Sequence, residues 1–70
     1  MISGDEIKRI RQLGMLSQEA FAQALGVSFT TVNRWECSKS KPSYKAMKQI
    51  AEFCKNNNIE FNRDKMIDKS

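Results

Sequence analysis

The sequence predicts an all-α domain of four to five helices. Two observations carry that expectation: one grammar of helix starts recurs along the chain, and no stretch demands a strand. Each start pairs a small polar cap with an apolar residue just before it, which packs on the fourth helical residue. Ile2-Ser3 with Ile7, Leu16-Ser17 with Phe21, Val27-Ser28 with Val32 and Phe61-Asn62 with Met66 all fit, and Pro42-Ser43 with Met47 is a weaker fifth case. Only Ile59-Glu60-Phe61 alternates, and it is short enough to be an extended arm.

The first helix is expected over 4–13. Ser3 and Glu6 form a capping box, and Ile7, Ile10 and Leu13 make an apolar stripe. Gly14 and Gly26 are the residues free to take a positive φ, so they stop the first helix and a second one over 18–25. That second helix turns Phe21, Ala22 and Leu25 inward. A third helix follows over 29–37 and a fourth over 44–56, where Met47, Ile50 and Cys54 form the stripe beside Ala46 and Phe53. Asn56-Asn57-Asn58 ends the fourth segment, and a fifth helix is expected over 63–68.

Seventy residues, 40% hydrophobic and 29% charged, leave room for one domain, 1–70, around one small core. There is no histidine, which removes Ser-His-Asp catalysis, His-paired cysteine nucleophiles and imidazole-dependent zinc sites. Glu19, Glu36 and Glu52 offer no paired-carboxylate site, and no glycine-rich loop cradles phosphate, so no enzyme, cofactor or metal is expected. Cys37 and Cys54 are too few for a disulfide framework. With neither a signal sequence nor an apolar membrane span, they lead to the expectation of a reduced cytoplasmic setting.

The formal charge of +4 is concentrated. Arg34, Lys39, Lys41, Lys45 and Lys48 face Glu36 alone, while the remaining chain balances to zero. Such a local basic surface suits a polyanion such as nucleic acid, and its alternative is a solvated lysine-rich loop. Steps of about 100° per residue place Val32 and Trp35 on one side of the third helix. Thr30, Asn33 and Arg34 then share the outward side, where a hydroxyl, an amide and a guanidinium can read base edges in a major groove. The short connection through Gly26, Val27 and Ser28 makes the second and third helices a helix-turn-helix, and the starts at Ser17 and Ser28 can offer N–H groups to phosphates.

The run from Ser17 to Glu36, SQEAFAQALGVSFTTVNRWE, resembles the helix-turn-helix of the phage repressor and Cro-like (XRE) family. The likeness extends through Lys39, Pro42 and Ser43 and backward to Arg11, covering roughly 7–54. It implies a lambda-repressor-like DNA-binding domain, usually dimeric, acting on transcription. It places Phe29, Thr30, Asn33 and Arg34 at the bases, and Gln18, Lys39 and Lys41 at phosphates. Ser28, Thr31, Ser43 and Tyr44 complete the expected phosphate-facing set, with surface packing the alternative for Tyr44. Arg11 and Glu36 match positions that pair in relatives.

Three departures qualify the transfer. Cys37-Ser38 replaces a usual Asn-Gly or Arg-Gly, so the exit of the third helix is expected to differ, serine accepting a left-handed conformation less readily. Met15 stands where glycine is common, and Phe29 where well-studied repressors use glutamine, so that any base contact there would be to a thymine methyl. Trp35 and Cys54 are expected in the core, and Cys37 as an incidental thiol.

The reading is a sequence-specific double-stranded DNA-binding regulator, a repressor working by occupancy, dimeric on a palindromic operator. Ile59, Phe61, Met66 and Ile67 are the expected dimer surface, and capping of the monomer core is their alternative. A rival reading is the antitoxin of a toxin–antitoxin pair, with 57–70 holding the toxin. Another is a protein-interaction module that binds no DNA.

Overall fold

The computed structural model describes residues 2–60 and divides them into four helices: α1 (Gly4–Leu13), α2 (Gln18–Leu25), α3 (Phe29–Glu36) and α4 (Tyr44–Asn56). Each begins at a serine. The hydroxyl oxygens of Ser3, Ser17, Ser28 and Ser43 accept the backbone N–H of Glu6, Ala20, Thr31 and Ala46, at 3.1, 3.1, 3.1 and 3.2 Å. Each such cap contributes on the order of 1 kcal/mol by satisfying a donor that the helix itself leaves free. The expected fifth helix, 63–68, and the Phe61-Asn62/Met66 start lie outside the described residues.

The helix ends share a second device. In each, a left-handed residue turns the chain so that two backbone N–H groups reach back to the last carbonyls. For α2 that residue is Gly26, at φ 73°, with Val27 N–H donating to Ala22 O at 2.9 Å. The end of α1 departs from expectation. Gly14 is right-handed at φ −80°, and Met15 takes the left-handed position at φ 58°. Leu16 N–H then donates to Arg11 O and Met15 N–H to Gln12 O. Space explains the glycine instead: a Cβ on Gly14 would lie 2.8 Å from Cζ of Phe53.

The exit of α3 also corrects the expectation. Ser38 adopts φ 60° despite its side chain, and Lys39 N–H closes the motif on Arg34 O at 2.9 Å. The helix itself ends at Glu36, with Cys37 as its cap. Asn58 does the same for α4 at φ 56°, drawing Ile59 N–H onto Cys54 O at 2.8 Å.

The core is assembled from the apolar faces of all four helices. Ile7 and Ile10 of α1 meet Phe21, Ala22 and Leu25 of α2, Val32 and Trp35 of α3, and Ala46, Ile50 and Cys54 of α4. Phe21 and Phe53 pack edge to face with ring centroids 5.2 Å apart. Ile2 seals the N-terminal side, and Ile59 lies partly buried against the same core. Leu13, expected on the α1 stripe, is 53% exposed. Successive steps of three residues precess by about 60°, so the stripe that buries Gly4, Ile7 and Ile10 has rotated off the core by Leu13.

Candidate nucleic-acid interface

The facing of α3 follows from what its buried residues require. Val32 and Trp35 are buried, and Phe29, Thr30, Asn33 and Arg34 are exposed together on the other side. Phe29, a large apolar ring at the first helical position, is 49% exposed. Asn33 is close to Cys37, whose thiol donates a weak 3.9 Å hydrogen bond to its amide oxygen. The Gly26 turn delivers the chain from α2 into the Ser28 cap, so the first amides of α3 emerge beside this face.

The residues expected at phosphates divide into two kinds. Lys39 and Lys41 are exposed in the loop after α3, and Tyr44 is 71% exposed at the first position of α4. Ser28, Thr31, Ser43 and Gln18 already have partners in the fold. Ser28 and Thr31 share a 2.8 Å hydroxyl–hydroxyl bond in addition to the cap, and Thr31 is half-buried. Ser43 accepts the Ala46 amide. At Ser28 and Ser43 the oxygen is therefore a cap first, and the groups available to an anion there are helix-start amides and hydroxyl hydrogens.

Two relationships escape the expectations drawn from sequence. Lys48 Nζ sits 5.9 Å from the centroid of the Tyr44 ring, a cation–π contact one turn along α4. The four-residue spacing of Tyr44 and Lys48 is a local signal for it. It adds Lys48 to the surface that begins with Tyr44. The second is that Gln18 Nε2 donates to Glu36 Oε1 at 3.1 Å. No local pattern marks a pairing across eighteen residues.

Glu36 changes the electrostatic account. Its carboxylate is only 5% exposed and is held by Arg11, whose Nε and Nη2 donate to its two oxygens at 2.7 and 3.0 Å. The hydrogen bond to Glu36 is the main cause raising the Arg11 pKa above its ordinary value, partial burial opposing it. The one acid within 34–48 is thus turned inward and matched by a cation from α1, while Arg34, Lys39, Lys41, Lys45 and Lys48 all remain exposed. The positive surface is stronger than a count along the chain implies.

A family model for helix-turn-helix domains matches residues 7–57, which takes in α1 to α4 entirely apart from three residues at the N-terminus of α1. No curated protein and no solved structure matches the chain.

Proposed function

The chain belongs to the XRE family of helix-turn-helix domains, DNA-binding regulators of transcription, and from that premise we propose that it is a sequence-specific repressor of double-stranded DNA. One observation carries the specific reading: the exposed face of α3 gathers Phe29, Thr30, Asn33 and Arg34, while Val32 and Trp35 hold the opposite face in the core. In this reading α3 enters the major groove. Arg34 can bond O6 and N7 of a guanine, Asn33 can pair with an adenine, and Phe29 can meet a thymine methyl. Lys39, Lys41, Tyr44 and Gln18, with the starts of α3 and α4 at Ser28 and Ser43 and the hydroxyl of Thr31, set register on the phosphates.

One such helix reads only a few base pairs, so two copies on a palindrome are the arrangement proposed, and repression follows from occupancy. Selection from a random duplex library tests this reading and should return a palindromic site. On that site Arg34→Ala should cost about 1–3 kcal/mol and flatten preference at one base position. Lys41→Ala should weaken cognate and scrambled duplexes alike and reduce the salt slope by about one. Equal losses on both duplexes for Arg34→Ala would instead make Arg34 a phosphate clamp and leave base reading to its neighbours.

A further inference from the structure

The Glu36 carboxylate accepts three hydrogen bonds, two from Arg11 and one from Gln18. Arg11 also donates through Nη1 to Leu16 O at 3.0 Å. From the last residue of α3, one side chain therefore grips both ends of the α1–α2 connection. Locking the helices together needs only the bidentate Arg11 pair. The additional bond goes to the first residue of α2, just after the Ser17 cap, where helix-start amides emerge.

Building on the reading of Gln18 as a phosphate contact, we propose that Glu36 is a positioning residue for DNA binding, holding the Gln18 amide so that its second N–H donates to a backbone phosphate. A carboxylamide nitrogen carries two hydrogens, and only its nitrogen can face a carboxylate favourably. Occupying one hydrogen on Glu36 fixes the direction of the other. It also removes beforehand the rotamer freedom that a long glutamine would otherwise lose on binding. Arg11 is part of the device, because a bare carboxylate beside a phosphate would repel it and the guanidinium cancels that charge. The end of the base-reading helix and the start of its neighbour thereby meet the DNA in a fixed relation.

The test compares Gln18→Ala in two backgrounds on the selected duplex: the natural chain, and Arg11→Met/Glu36→Met. The paired replacement exchanges a largely buried ion pair for apolar side chains of similar length, a change that folded domains commonly tolerate. Gln18→Ala should weaken binding about tenfold in the natural chain and less than about threefold where Glu36 is gone, a non-additivity that a contact independent of Glu36 cannot produce. Equal losses in both backgrounds would overturn the proposal. Gln18→Asn decides the matter if the double replacement fails to fold. Its amide is one methylene too short to reach Glu36 and a phosphate together, so it should bind as weakly as Gln18→Ala at unchanged melting temperature. Full-strength binding by Gln18→Asn overturns the positioning role. If Gln18→Ala is silent while Arg34→Ala still flattens base preference, the positioning role falls and the DNA reading stands. If the natural chain selects no duplex, the DNA reading itself has failed.

Discussion

Among the described residues, Met15, Ser38 and Asn58 carry side chains yet occupy the left-handed region that glycine fills without strain. Asparagine tolerates it best of the three, through its short polar side chain. Met15 is the most informative, because it is 91% exposed and its side chain gives up little packing in exchange. Met15→Gly should therefore raise stability by roughly 0.5–1 kcal/mol, the relieved strain exceeding the extra freedom given to the unfolded chain. At this size that is an upward shift of several degrees in melting temperature. Gly26→Ala is the complementary case. Its Cβ would meet nothing within 4 Å, so a loss of about 1 kcal/mol there would report backbone conformation alone. A melting temperature unchanged or lowered by Met15→Gly would show that the α1 exit carries no such strain.

At the scale of the element, α3 has to bury one side firmly in order to offer the other. Replacing Trp35 by alanine should cost roughly 3–5 kcal/mol, comparable to the whole stability of a domain this small, and circular dichroism should show a largely unfolded chain. A folded Trp35→Ala protein that had merely lost DNA binding would reverse the facing of the helix. That facing was legible in advance, as were the four serine caps, because both depend on residues within one or two turns of each other. What was illegible depends on distant neighbours. Gly14 looked like a φ-driven stop because nothing nearby reveals that the Phe53 ring from α4 fills its Cβ site. The Gln18 bond to Glu36 likewise exists only once α2 and α3 are folded against each other, and the Arg11–Glu36 pair was expected from family likeness alone. The placing of Leu13 on the core stripe failed for a different reason: a three-residue spacing drifts around a helix, and two contacts do not guarantee a third.

For the molecule as a whole, the two cysteines report on whether the core opens in pieces or at once. Cys37 is exposed at the end of α3, and Cys54 is buried among the core residues of α4. Burial is the main cause pushing the Cys54 thiol from its usual 9.0 up to about 11; the nearby Arg9 charge opposes the shift and Glu6 adds to it. The sign follows directly. The folded state favours the protonated thiol, so this contribution to stability is complete below about pH 9 and is lost as the pH rises through 11. At neutral pH an alkylating reagent should therefore add one group rapidly, at Cys37. A second should follow at Cys54 only as fast as the domain opens, since a buried neutral thiol is inert. Mass spectrometry of the time course separates the two additions. Saturation with the selected duplex should slow the second addition further, because a ligand that binds only the native state lowers the open population by the factor 1 + [L]/Kd. Comparable rates at both cysteines would mean that α4 detaches without global unfolding. Slowing that levelled off with duplex concentration would mean that the open form also binds DNA, only more weakly, and no slowing at all would mean that it binds as tightly as the folded one.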